Sequence, residues 1–266
     1  MVLAYETYGA GRPLVLLPWF GLDRSAMIAA FEPVFEPTLT RRAGWRRIYA
    51  DLPGTGESPG GEPTSDAVCD AVLRLIASAE PGGAPVALAG CSYGGYIASG
   101  VARRAPDRVA GLLLVCSGVR IAPEDRTLPP SPPGPPPAGW LDGVRPDLAD
   151  HLATALGHRT AAVAAQVDAV VAAALTGDDD FLDRLRPGGF RLSDEDSPTT
   201  YGGPMAFLCG RADLVAGYAD QFAALERYPD GAYAVVPDAG HYLPFEQPSV
   251  FRDLVGHWLG RLARLA

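Results

Sequence analysis

The chain has 266 residues, 48% of them hydrophobic, and a formal net charge of −9. That acidity argues against nucleic acid, whose phosphates need a basic face. All 22 basic residues are arginine, which excludes Schiff-base and pyridoxal chemistry and a P-loop lysine.

Taken in chain order, apolar strand-like runs alternate with helix-like periodicity, the pattern of a mostly parallel α/β sheet. Strand-like runs fall near residues 3–8, 13–18, 46–50, 85–90, 110–116, 204–209 and 231–236. Helix-like stretches fall near 25–35, 64–79, 94–105, 216–228 and 248–264. The alternation stops between 119 and 203, where no clear strand is found. Prolines dominate 128–137, which predicts an extended, semi-rigid connector. Amphipathic stretches follow at 147–156, 159–175 and 178–185. The expected organisation is a core of residues 1–118 and 204–266, with 119–203 inserted as a helical cap.

No apolar run approaches the roughly 20 residues of a membrane helix. The first residues lack a charged-then-apolar export pattern. Cys69, Cys91, Cys116 and Cys209 show no metal-ligand spacing and read as buried free thiols of a reducing cytoplasm. With no metal cluster and no dinucleotide fingerprint, no cofactor is expected.

The chemistry is concentrated at Gly90-Cys91-Ser92-Tyr93-Gly94, which follows the apolar run Val86-Ala87-Leu88-Ala89 and precedes a helix-like stretch. Strand, Gly-x-Ser-x-Gly and helix together form the setting of a nucleophile elbow. The turn is so tight that its neighbours must lack bulk, and Gly90, Gly94 and Gly95 meet that need. Cys91 precedes the nucleophile but points away from it.

A serine hydroxyl needs a base and a group to orient that base. Of the four histidines, His241 stands in Pro237-Asp238-Ala239-Gly240-His241 at a strand end, where open α/β sheets gather their chemistry. His151 and His158 lie in the insertion and His257 on the last helix, so they are weaker candidates. Asp213 follows the run Met205-Ala206-Phe207-Leu208-Cys209 and is the expected orienting carboxylate, with Asp220 and Asp238 as alternatives.

On these motifs the chain resembles the α/β-hydrolase superfamily, in its serine esterase and lipase-like branch, over nearly its whole length. Asp51-Leu52-Pro53-Gly54-Thr55-Gly56 resembles the strand end and turn that such proteins carry before the elbow, with Asp51, Gly54 and Gly56 structural. Gly240-His241 with Glu246 and Pro248 resembles the family's histidine loop. The resemblance implies an oxyanion hole built from the backbone N–H groups of Phe20 and Tyr93. Pro18-Trp19 departs from the family's usual His-Gly pair there. Trp19, Phe20 and Tyr93 are expected to line the substrate pocket.

The reading is a serine hydrolase of an ester or lactone of a small to medium apolar substrate, acting through an acyl-enzyme on Ser92, His241 and Asp213. Amide, carbon–carbon bond and perhydrolase chemistry on the same three residues, or a catalytically silent binder, remain open. An epoxide hydrolase or dehalogenase is disfavoured, since those resemble this fold with Asp in place of Ser92.

Overall fold

The computed structural model describes residues 2–36, 44–130 and 135–265. Residues 131–134, in the middle of the proline run, lie outside the described residues.

Among the described residues seven strands form one sheet: β1 (Tyr5–Tyr8), β2 (Arg12–Leu17), β3 (Trp45–Ala50), β4 (Val86–Cys91), β5 (Val109–Val115), β6 (Met205–Gly210) and β7 (Gly231–Val236). Their order is β1-β3-β2-β4-β5-β6-β7. Only β1 runs antiparallel, against β3. The central strands β4 and β6 are buried at every position, which explains their unbroken apolar runs. β2 shows how both faces are filled. Leu14 and Leu16 enter one core layer, and Val15 and Leu17 the other.

Among the described residues nine α-helices accompany the sheet: α1 (Arg24–Phe31), α2 (Ser65–Ala79), α3 (Tyr93–Arg104), α4 (Pro146–Ala155), α5 (Ala161–Ala174), α6 (Asp179–Gly189), α7 (Ala219–Ala224), α8 (Leu243–Glu246) and α9 (Pro248–Leu265). Their starts follow local chemistry. Thr64 caps α2 by accepting the Ala67 N–H at 3.1 Å, and Asp178 caps α6 by accepting that of Phe181 at 3.2 Å. On α9, Phe251, Val255, Trp258, Leu259 and Leu262 form the buried stripe expected of a surface helix.

Two expected helices are shorter than their periodicity suggests. The stretch near 25–35 is α-helical only to Phe31, and Pro33 follows in a 3₁₀ turn. The stretch near 216–228 begins its helix at Ala219, because Asp213 draws residues 213–217 into a turn of their own. In the other direction, α6 continues past 185 to Gly189 with Pro187 in its last turn.

The helices between β5 and β6 pack against helices that flank the sheet. α5 lies against α1 and α8, and α6 against α2. Among the described residues of 119–203 no strand forms, apart from one bridge between Leu22 and Leu175.

The strand order decides where ligands gather. The chain leaves β2 toward β3 on one side and leaves β4 toward β5 on the other. A crevice therefore opens between the carboxyl ends of β2 and β4, the switch point of the sheet.

Candidate active site

Ser92 stands at that switch point, between the last residue of β4 and the first of α3. Its backbone is left-handed, φ 51° and ψ −120°, a conformation that costs a non-glycine residue about 1–3 kcal/mol. The surroundings hold it there. Its N–H donates to the Val115 carbonyl at 2.9 Å, and its own carbonyl accepts the Tyr96 N–H at 3.0 Å. Two glycines permit the turn. A Cβ on Gly90 would lie 2.3 Å from the Gly94 carbonyl carbon, and one on Gly94 would lie 2.3 Å from the Leu17 carbonyl oxygen. The second contact shows that the loop leaving β2 presses directly on the start of α3.

The His241 loop follows β7, and its backbone N–H donates to the Ala155 carbonyl at 2.7 Å. The imidazole is buried and reaches both neighbours. Nε2 lies 2.8 Å from Ser92 Oγ, and Nδ1 lies 3.0 and 3.2 Å from the two carboxylate oxygens of Asp213. This network assigns the proton to Nδ1, leaving Nε2 to accept from the serine hydroxyl. Asp213 is fully buried, and its Oδ1 also accepts the N–H groups of Val215 (2.8 Å) and Ala216 (2.9 Å). The Arg211 N–H donates to the Val236 carbonyl and that of Ala212 to the Ala239 carbonyl, so the aspartate and histidine loops are laced together.

The alternatives lie elsewhere. Asp220 accepts the Thr127 N–H at 2.8 Å, on the exposed side of α7. Asp238 turns in a left-handed conformation and pairs with His158 Nδ1. His257 is exposed on α9.

Tyr93 is the first residue of α3, so its N–H has no carbonyl to serve within the helix. Among the described residues no group takes up that N–H or that of Phe20. A helix N-terminus with unengaged N–H groups is suited to a developing negative charge.

Asp51, at the end of β3, is buried and accepts the N–H groups of Arg24 (2.8 Å) and Glu57 (2.9 Å). Gly54 and Gly56 both have positive φ, and a Cβ on Gly56 would strike the Asp51 carboxylate. These residues brace the turn beneath the site and do not reach Ser92.

A cavity of about 590 Å³ opens over Ser92 and His241. The Trp19 and Phe20 side chains and Tyr93 form its near wall. Trp19 stacks on Tyr242 at 5.7 Å, and Phe20 meets Tyr93 edge-on at 5.3 Å. Leu148 and His151 of α4, Val171 of α5 and Leu175 also line the cavity.

Sequence reasoning missed His151. Its Nε2 lies 2.9 Å from the Tyr242 hydroxyl. Desolvation, followed by the nearby His241, pulls its pKa below the ordinary histidine value. It also missed Arg126, Arg186 and Phe190 on the same cavity. No motif marks any of them; only the amphipathic phase of α4, with Leu148 and His151 three residues apart, hinted that one helix face looks inward.

All four cysteines are free and buried. Burial pushes the Cys69 thiol up to about 12 and raises that of Cys91 well above its ordinary value. Neither is a ready nucleophile. Among the described residues no helix is long and apolar enough to cross a membrane.

With the fold and geometry in place, the chain can be set beside known proteins. Residues 14–254 match the alpha/beta hydrolase family, and the chain belongs to it. It is similar to the pimeloyl-[acyl-carrier protein] methyl ester esterase of Chromobacterium violaceum, with 39% identity over 129 residues, 48% of this chain and 46% of that protein. The enzyme of the same name from Shewanella woodyi is 31% identical over 132 residues, 49% of this chain and 46% of that one. The chain thus spans about half the length of the curated relatives it matches.

Solved structures extend the likeness over the whole fold. An alpha/beta superfamily hydrolase from Oenococcus oeni superimposes with a TM-score of 0.82 at 24% identity, covering 98% of this chain and 96% of that one. A thermophilic esterase from Thermogutta terrifontis gives a TM-score of 0.68 at 25% identity, covering 98% and 93%.

Proposed function

We propose that this protein is a cofactor-free serine hydrolase that cleaves a carboxylic ester or lactone of a small to medium, largely apolar substrate. One observation carries the reading: Ser92 Oγ lies 2.8 Å from His241 Nε2, while Nδ1 of the same ring faces the buried Asp213 carboxylate. The named esterase relatives support the choice of bond.

In this mechanism His241 Nε2 takes the Ser92 proton as Oγ adds to the substrate carbonyl carbon. Asp213 stabilises the imidazolium that forms and keeps the ring in register. The N–H groups of Phe20 and Tyr93 receive the oxyanion, the usual source of the largest rate contribution. Collapse expels the alcohol, which takes the proton from Nε2. Water then repeats the sequence on the acyl-enzyme, with Nε2 as base, and frees the acid and Ser92. The strain at Ser92 serves this chemistry by fixing Oγ and the Tyr93 N–H on one point.

Residues 119–203 act as a cap that shapes the cavity and shields it from bulk water. The four buried thiols suit a reducing cytoplasm.

A fluorophosphonate probe, followed by peptide mapping, tests the proposal. The label is expected on Ser92 and is expected to vanish in His241→Ala. Absence of labelling, or labelling at another serine, would overturn it.

A further inference from the structure

The cavity contains charge that an ester of a purely apolar substrate would leave unused. Arg126 lies in its wall, and Arg186 reaches it from α6 with its guanidinium 4.6 Å from the centre of the Phe20 ring. No carboxylate side chain stands among the lining residues, although the chain as a whole carries a net charge of −9. Among the described residues neither arginine forms an ion pair. Nine other arginines are engaged by carboxylates: Arg24, Arg46, Arg47, Arg103, Arg104, Arg120, Arg145, Arg191 and Arg261 each meet an Asp or Glu.

Arg126 is the better defined of the two. Its Nε–H donates to the Arg120 carbonyl at 3.2 Å, one Nη1–H to the Val215 carbonyl at 2.8 Å, and one Nη2–H to the Ile121 carbonyl. These bonds fix the guanidinium between the strap 120–126 and the turn that carries Asp213. A guanidinium has five N–H donors, so one remains on each terminal nitrogen, two donors left for a carboxylate. Its surroundings do not neutralise it. Asp213, Glu124 and Glu195 act on it only at a distance, and desolvation pulls its pKa below the ordinary value. The carboxylates beside Arg24, Arg47 and Arg104 move theirs the other way. Asp213 is occupied by His241 and two backbone N–H groups.

We propose that Arg126, assisted by Arg186, is a specificity site for a carboxylate carried by the substrate. This rests on the hydrolase reading and refines it: the substrate has an apolar body and an anionic end. In a pocket otherwise apolar, a carboxylate without such a partner would be rejected by its desolvation cost. The guanidinium reverses that preference.

The test compares esters matched in shape within two pairs. The first is p-nitrophenyl pentanoate against mono-p-nitrophenyl glutarate, which places the charge on the acyl side. The second is 4-carbamoylphenyl butyrate against 4-carboxyphenyl butyrate, which places it on the alcohol side. For the full chain, the charged member of at least one pair is expected to show a kcat/KM about tenfold above its neutral partner. In Arg126→Gln that ratio is expected to fall by about tenfold or more, mainly through KM. Arg126→Lys keeps the charge without the fork and is expected to give an intermediate ratio. Loosening of the strap affects both members alike and cancels in the ratio. Neutral preference in both pairs, or a ratio unchanged by Arg126→Gln, would overturn the assignment.

Calorimetry of monomethyl glutarate with Ser92→Ala, and with the same variant carrying Arg126→Gln, separates the two layers. Arg126-dependent binding without turnover of any ester would sink the hydrolase reading and keep the anion site. Ester turnover without Arg126-dependent discrimination would do the reverse.

Discussion

The floor and the roof of the cavity are built on different principles. The floor is the sheet edge, where Ser92, Asp213 and His241 each follow the carboxyl end of a strand, β4, β6 and β7. Those loops are fixed by backbone: a left-handed serine, glycines pressed against carbonyls, and N–H groups laced from one loop to the next. The roof is helical, with α5 packed on α1 and α8, α6 on α2, and α4 on α5. Chemistry that needs placement within a fraction of an ångström falls on the rigid side. On the proposed hydrolase reading, selection among substrates falls on the side whose surface can change without moving the reacting atoms.

The comparison breaks most sharply at the floor. Ser92→Ala should lower kcat toward p-nitrophenyl esters by about 10⁵–10⁶-fold, and Asp213→Asn by about 10⁴-fold, since an amide favours the wrong imidazole tautomer. Both proteins should keep the wild-type circular dichroism. A Ser92→Ala variant retaining more than about a thousandth of the activity would remove the nucleophile from the floor.

Floor and roof meet at Glu246. This buried carboxylate accepts the N–H groups of Gly157 (2.7 Å) and His158 (2.8 Å) from the insertion. It also accepts those of Gly240 (2.9 Å) and Tyr242 (3.0 Å) from the histidine loop. Burial raises its pKa despite these bonds. Glu246→Gln turns an NH₂ toward donors that need an acceptor. The expected loss is about 2–3 kcal/mol of stability, read as a melting temperature several degrees lower. A roughly tenfold fall in kcat should accompany it, because His241 is displaced. Loss of stability with kcat intact would show that the junction holds the roof alone.

The same contrast governs what the sequence discloses. Steric demands are local, so Gly-x-Ser-x-Gly and Gly240-His241 betray their geometry within a few residues, and the order of strands places Asp213. All seven strands are legible, the central β4 and β6 most clearly, because there the parallel sheet buries both faces and leaves unbroken apolar runs. The roof is legible only as helices. Which face of α4 looks inward depends on packing against elements far away in the chain, so His151 reads as an ordinary surface histidine. Arg126 lies in an irregular strap with no periodicity at all, and its contacts with Val215 span 89 residues. The turn at 213–217 illustrates the opposite error: helical periodicity near 216–228 is overridden by side-chain capping from Asp213.

The roof should respond more gently. Val171 of α5 faces the cavity, and Val171→Phe is expected to shift the kcat/KM ratio of short to long acyl chains by about tenfold. Its rate of fluorophosphonate labelling should change less than threefold by the same logic, since a small probe does not fill the upper cavity. Equal effects on both would place Val171 among the groups that position the reacting atoms.

The smallest expected effect concerns His151, where floor and roof touch through Tyr242. Desolvation and the proximity of His241 hold its pKa below the ordinary 6.5. The unfolded chain therefore takes up a proton at this residue before the folded one does. The stability gained by keeping it neutral is fully present above the ordinary value and is lost as pH falls through the lowered one. In His151→Gln that loss is absent. Between pH 7 and pH 5 the variant's melting temperature should fall less than the wild type's, by on the order of 1–2 °C. Differential scanning calorimetry at both pH values measures the difference directly, and comparing each protein with itself removes any constant cost of the substitution. A variant that loses as much on acidification as the wild type would mean that His151 is already free to protonate against His241, and that the roof exerts no electrostatic influence on the floor at this point.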